Sequence, residues 1–459
     1  MIETIKVKIN GEVYEYSKDI TINEIHKEHQ SKYKYPIILA RVNGRLKELS
    51  SKLKDDSTIE FIDLTVKEGN RVHVNGLIFV LQYAVRKLYG PTAKIYVQHS
   101  LDKGVYIQTS FKLNEEKLEN IKLVMKEIIK KDMSITEVII DRNEARKYFR
   151  DIGDEVKAGI LKYNTNNYIT LYRLGNLYNY FYTLMPTGTG VLKDFDVTYI
   201  KGNGFILRFP TIYVHDKIKK YEHHPNMFGV FEEFKEWAKI INVRNIVDLN
   251  KIVSTGKISD LIKMDETLQS NRLLNVAKEI NERKNKVKIV LMAGPSSSGK
   301  TTTSRKLCMY LKSFGLNPKT IEMDNYFVER ELTPKDENGK YYFEFLEAMD
   351  LKLFDKQMSQ LLAGEKVLMP TYNFGLGKKE FNETLQLGEK DILIIEGIHA
   401  LDANLLANIN REKKFKIYIS PLTELCMDDH NRISTSDNRL LRRIIRDNRT
   451  RDYRVERTL

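Results

Sequence analysis

Two cysteines and one tryptophan in 459 residues leave little room for several protein classes. Cys308 and Cys426 cannot staple a small secreted scaffold, and the opening MIETIKVKING has neither the basic nor the apolar stretch of a secretion signal. Long apolar runs are missing too. Those present, such as IVLMA at 289–293 and ILII at 392–395, have strand length, far short of the ~20 residues that cross a bilayer. The expectation is a cytoplasmic chain with reduced thiols and no membrane partner. With 42% hydrophobic and 30% charged residues, it should be globular, and its length suggests about three domains.

Acidic residues are also in deficit, 62 against 75 lysines and arginines, for a net charge of +13. The excess is concentrated at one place. Between Arg439 and Arg457 stand eight arginines against three acids, a net +5. Dense arginine on one short element calls for a polyanion, and nucleotide phosphates satisfy it as well as RNA does. The remaining charge is spread out as a solvated, lysine-rich surface would have it.

Residues 1–66 alternate apolar and polar side chains (IKVKI, VYEYS, then an amphipathic INEIHKEHQ, then IILARVNGRL and TIEFIDL), which predicts ββαββ order. That order, with VNGRLKELSSKL at 42–53, resembles the ubiquitin-like (β-grasp) TGS domain at the front of threonyl-tRNA synthetases. From 67 to 225, VLQYAVRKLYG, GVYIQTSF, NEARKYFRDIGDEVKAGIL and MPTGTGVLKDFDV resemble, in order, the second additional domain of those synthetases. There an HxxxH pair and a CxxxH pair form the editing site. The matching positions here hold Asn75, Phe79, Tyr180 and Leu184, so editing chemistry is not expected. His73, His215, His223 and His224 lack the spacing of a substitute site. Residues 226–285 show helical periodicity and read as a connector.

The chemistry is written after residue 286. VKIVLMA predicts a strand buried on both faces. GPSSSGKT at 294–301 then fits GxxxxGK[ST], and TTTSRKLCMYLKSFG continues with helical spacing. Such a loop wraps an anion with backbone amides while the helix presents its positive end. Gly294, Pro295, Ser296, Ser297, Ser298, Gly299, Lys300, Thr301 and Thr302 are the expected ATP contacts. Lys300 would reach the outer phosphates and the Thr301 hydroxyl would bind Mg2+. The strand PKTIEM leads to Asp324, where ligands of open α/β sheets sit, and a carboxylate there suits a general base. DILIIEG carries Glu396, a second candidate for the metal ion. With FKIYIS at 415–420, the alternation of strand and helix predicts a doubly wound parallel sheet. Arg439, Arg443 and Arg446 fall at i, i+4 and i+7 on one helical face, with Leu440, Leu441, Ile444 and Ile445 expected to pack behind them.

The P-loop, MDNYF, FEFLEAMDLKLFD, PTYNF, IIEGIHAL and RLLRRIIRD together resemble the uridine kinases of the uridine kinase/phosphoribulokinase family. The resemblance covers 287–459, within a domain read as 286–459. It implies Lys300, Asp324 and Arg446 as catalytic residues. Asp324, Tyr326, Glu344, Tyr372, Arg443, Arg446 and Arg451 become substrate contacts, and ATP and Mg2+ the cofactors. Gly377 falls where the family has a histidine against the base, and Asp452 and Tyr453 replace the glycine and arginine that close the lid. Family members continue with a further strand and helix, so the kinase domain is expected to be either C-terminally truncated at Leu459 or incomplete in its fold. The expected activity is transfer of the γ-phosphoryl of MgATP to the 5′-hydroxyl of uridine or a related nucleoside. The competing expectation is a tRNA- or nucleotide-binding regulator whose P-loop acts as a sensor; either function is compatible with an oligomer.

Overall fold

The structure, a computed structural model, describes residues 3–458 apart from 337, 338, 424, 452 and 453. Its contacts group the chain into two units: Met1–Thr255 with Glu424–Ile433, and Gly256–Thr423 with Ser434–Leu459.

The front unit begins with β1 (Thr4–Ile9), β2 (Glu12–Ser17), α1 (Ile22–His29), β3 (Leu39–Val42), β4 (Arg45–Glu48) and β5 (Ser57–Ile62), in the sheet order β2-β1-β5-β3-β4. Along β1, Ile5, Val7 and Ile9 turn inward, as a period of two requires. Helix α1 starts at a capping box between Thr21 and Glu24. The expected ββαββ order is one strand short. IILARVNGRL is a hairpin rather than one strand, because Asn43 and Gly44 both take positive φ (48° and 79°) in its two-residue turn.

The unit continues with α2 (Lys67–Tyr89), β6 (Ile95–Leu101), β7 (Gly104–Thr109), α3 (Glu115–Lys130), β8 (Ile135–Asp141), α4 (Arg142–Asp151), α5 (Glu155–Tyr163), β9 (Tyr168–Leu174), β10 (Leu177–Asn179), β11 (Asp196–Lys201), β12 (Gly204–Arg208), α6 (Pro225–Ile240) and α7 (Ile246–Ser254). They form two antiparallel sheets, β10-β9-β8 and β11-β12-β7-β6. Side chains of Asn114, Asp141, Asp154 and Asn245 cap α3, α4, α5 and α7, which fixes where each helix begins. At the editing-pair positions, Phe79 is fully buried edge-on to Phe181, Leu184 packs on the same core, and Asn75 donates to the Thr183 hydroxyl at 2.5 Å.

The segment 425–433 packs in this unit. Val97 N donates to Asp429 O at 2.8 Å and Ile246 N to Cys426 O at 3.0 Å. Beneath it Lys157, 1% exposed, donates to Asp428 Oδ1 at 2.8 Å and His430 Nδ1 at 2.7 Å, with Asp154 at 3.7 Å. Burial alone would depress the lysine pKa, but Asp428 and Asp154 outweigh it and hold it raised. Burial, reinforced by the same lysine, holds His430 well below 6.5.

The second unit contains α8 (Ile258–Glu282), β13 (Ile289–Ala293), α9 (Lys300–Ser313), β14 (Asn317–Glu322), α10 (Leu351–Leu362), β15 (Val367–Asn373), β16 (Lys378–Leu385), β17 (Asp391–Gly397), β18 (Lys414–Tyr418), α11 (Thr435–Arg451) and α12 (Val455–Thr458). Its main sheet, β14-β17-β13-β18, is wholly parallel. Ile289, Leu291 and Ala293 face a core shared with α10, while Val290 and Met292 face one shared with α8 and α9. Cover on both faces explains the unbroken apolar run. The antiparallel β15–β16 hairpin has no counterpart in the sequence-based expectations. No helix among the described residues is long and apolar enough to cross a membrane.

Candidate phosphate-binding site

Parallel strands end together, and here β13, β14 and β17 bring their carboxyl ends to one cavity of about 720 Å3. From β13 the chain enters the glycine- and serine-rich loop. A side chain at Gly294 would place Cβ 2.3 Å from the Ile419 carbonyl, so only glycine fits. Ser297 takes φ 60°, and Gly299, at φ 99°, is the N-cap of α9 with no side-chain cap. The first amides of the helix thus point into the cavity without a competing side chain. Residues 296–302 line the cavity, and Gly294 and Pro295 lie just behind it.

Lys300 donates to Gly294 O at 2.9 Å and reaches Pro295 O at 3.4 Å. Burial depresses its pKa. Asp324 and Glu396 work against that, and Arg446 and Arg439 add to it. At the end of β17, Glu396 is 5% exposed; Oε1 accepts the Thr301 hydroxyl at 3.0 Å, while Oε2 is buried without a hydrogen-bond partner among the described residues. Burial raises its pKa, the Thr301 bond opposes the shift, and Glu322 and Asp324 reinforce it. Strand β14 stops at Glu322 rather than at Asp324, which sits in the single turn that follows; both line the cavity. The cavity wall thus offers hard oxygen donors, the chemistry that binds a cation such as Mg2+, although the three carboxylates do not close into one tight cluster among the described residues.

Helix α11 presents a different face from the expected one. Arg442, Ile445, Arg446 and Arg449 line the cavity. Arg442 Nε donates to Ser297 O at 3.1 Å, and Arg446 donates to the Ser296 hydroxyl at 3.2 Å and to Asp447 at 2.7 and 2.9 Å. Arg443, one position round the helix, is half-exposed and lies 3.6 Å from Asp447. The spacing i, i+4, i+7 from Arg439 selected the wrong neighbour, because 442, 446 and 449 also share a face. Nor do the apolar residues pack behind. Leu440, Leu441 and Ile445 are all exposed, while Asp447 is 2% exposed in its side chain. Arg451 closes the helix; its side chain, with Asp452 and Tyr453, lies outside the described residues.

The expected nucleoside contacts divide. Tyr326 is fully buried, its hydroxyl donating to Gln357 at 2.7 Å and its ring edge-on to Phe354. It supports the core under the Asp324 turn instead of lining the cavity. Tyr372 is buried against Phe327 and Phe374, with a hydroxyl that has no hydrogen-bond partner among the described residues. Glu344 is exposed on the loop before α10 and is not part of the cavity wall. Gly377 turns the β15–β16 hairpin at φ 71°, where a Cβ would come within 2.8 Å of Arg330. A histidine at that position would be strained in backbone and side chain alike. Sequence reasoning missed Glu322, Ile398, Arg442, Ile445 and Arg449. The alternation of β14 gave a signal for Glu322, and the helical period gave one for the arginines.

Residues 289–459 match the phosphoribulokinase/uridine kinase family. A threonine–tRNA ligase of Thermotoga maritima is 31% identical over 203 residues, 43% of this chain and 31% of that ligase. Threonine–tRNA ligase 2 of Bacillus subtilis is 30% identical over 195 residues, 42% of this chain and 31% of the ligase. The chain thus spans under a third of the length of these relatives. Among solved structures, a possible uridine kinase from Bacillus stearothermophilus is 22% identical, covering 30% of this chain and 80% of that one, with a TM-score of 0.24. Behind an N-terminal region of about 200 residues similar to that of threonine–tRNA ligases, the chain carries a C-terminal kinase domain of the phosphoribulokinase/uridine kinase family.

Proposed function

We propose that the C-terminal unit transfers the γ-phosphoryl of MgATP to the 5′-hydroxyl of uridine or a related nucleoside. The observation that carries this reading is the convergence of Lys300, Asp324, Glu396 and Arg446 on one cavity at the carboxyl ends of the parallel strands. MgATP supplies the transferable phosphoryl when bound. The chain's own part is positioning and charge. Loop amides and the α9 N-terminus hold phosphate oxygens, with Lys300 turning from the Gly294 carbonyl toward them. Thr301 and Glu396, with Glu322 nearby, would hold the cation. Asp324, exposed to the cavity, accepts the proton of the attacking hydroxyl. Arg442 and Arg446, anchored on the loop, stabilise charge on the moving phosphoryl.

A screen of nucleosides for γ-phosphate transfer tests the reading, with Asp324→Asn as control. That variant should lose ~10²-fold or more in turnover, the size of general-base effects, and keep nearly intact ATP binding. Unchanged kinetics would remove Asp324 from the mechanism. The similarity of the front region to threonine–tRNA ligases favours one alternative, a tRNA-binding regulator. Its signature would be tRNA binding with a steep salt slope and no phosphorylated nucleoside.

A further inference from the structure

A second large cavity, of about 520 Å3, is lined only by residues of the front unit, and its volume falls within the range of small-molecule sites. Positions 75, 79, 180 and 184, where editing pairs would stand, are not part of it. Its wall mixes charges of both signs. Asp428 is already satisfied by Lys157 and by the His430 and Asn431 amides. Asp429 is not. Its side chain has no hydrogen bond or ion pair among the described residues, and burial pushes its carboxyl pKa up to about 6. The Arg244 guanidinium, in the same cavity, is likewise without a side-chain partner among the described residues. Lys235 and Lys239 add positive charge, held lightly by Gln108 and the exposed Glu236. Tyr96 and Phe234 contribute aromatic surface.

Desolvating an unpaired anion is costly unless a ligand answers it, and the exposed Arg244 offers a cation on the wall of the same cavity, so one ligand can meet both. A free amino acid could answer both but would fill only a small part of the volume. A nucleotide fits size, aromatic surface and charge together. The carboxylate selects among bases, because it needs two N–H donors side by side. Guanine offers N1–H beside N2–H. Adenine and cytosine set one donor beside an acceptor, and uracil sets one donor between two. We propose that this cavity binds a guanine nucleotide, the base edge on Asp429, the phosphates on Arg244, Lys235 and Lys239, and the ring against Tyr96 and Phe234.

Because the P-loop also attracts nucleotides, the test uses the full chain carrying Lys300→Ala, titrated calorimetrically with GDP and ADP. The expected result is saturable GDP binding with ADP markedly weaker. Adding Asp429→Asn should weaken GDP roughly 10- to 100-fold, the range of a bidentate base contact, and abolish the preference over ADP. Arg244→Ala should weaken both diphosphates. Asp429→Asn breaks no hydrogen bond of its own side chain and should fold; if it does not, Arg244→Ala decides. The proposal is overturned if the Lys300→Ala protein binds no GDP, if GDP and ADP bind equally, or if neither variant changes GDP affinity.

Discussion

Replacing Glu396 by glutamine should move stability and turnover in opposite directions. The carboxylate is 5% exposed, only one of its oxygens has a partner among the described residues, and Glu322 and Asp324 repel it. A buried polar group without a partner costs about 1–3 kcal/mol, and more when charged. Glutamine keeps the shape and the acceptor for Thr301, and replaces the repelled oxygen with an amide that donates toward the neighbouring carboxylates. The C-terminal unit should gain about 1–2 kcal/mol, which at ~2 kcal/mol per molar raises its urea midpoint by roughly 0.5–1 M. The only tryptophan, Trp237, lies in α6 of the front unit, so the gain is to be read by far-UV circular dichroism or hydrogen exchange. The same change removes a charge from the proposed cation site. Phosphoryl transfer should fall by ~10- to 100-fold, a typical size for changes around metal ligands. A less stable Glu396→Gln protein, or one with parental turnover, would refute the reasoning.

Arg442→Ala should lower kcat/KM for ATP roughly tenfold or more, since it removes a charged donor anchored on the loop, whereas Arg443→Ala, losing one exposed pair, should change it less than about twofold; equal effects would restore the face predicted from Arg439. Lys157→Met leaves Asp428 and Asp154 buried without their cation and should cost the front unit about 3–5 kcal/mol, measured by Trp237 fluorescence in urea, with partial recovery when Asp428→Asn is added. His430, buried and facing Lys157, has a folded pKa below 6.5, so the unfolded chain binds the extra proton and stability falls as pH drops below about 6.5, by up to ~1.4 kcal/mol per unit. Asp429 titrates with the opposite sign between 3.8 and about 6, so the difference between His430→Asn and the parent isolates the histidine: the variant should show the shallower acid slope, and identical slopes would contradict the assignment.

What the sequence determined is what local chemistry enforces. GPSSSGKT, flanked by a two-faced apolar strand and a helix, permits few backbone paths, and Lys300, Thr301, Asp324 and Glu396 follow because parallel strands end on one edge. What the tertiary structure decided are choices among equivalent neighbours and contacts across long separations. Helical spacing allows both 439/443/446 and 442/446/449 as faces; burial of Asp447 and the hydrogen bond of Arg442 to Ser297 choose between them. MDNYF places Tyr326 beside the base in sequence, yet the turn after β14 drives its ring into the core. Nothing local marks Lys157 as the partner of Asp428, 271 residues away. A buried ion pair is created only when packing removes the water that would otherwise solvate each charge alone, and packing is a property of the folded chain.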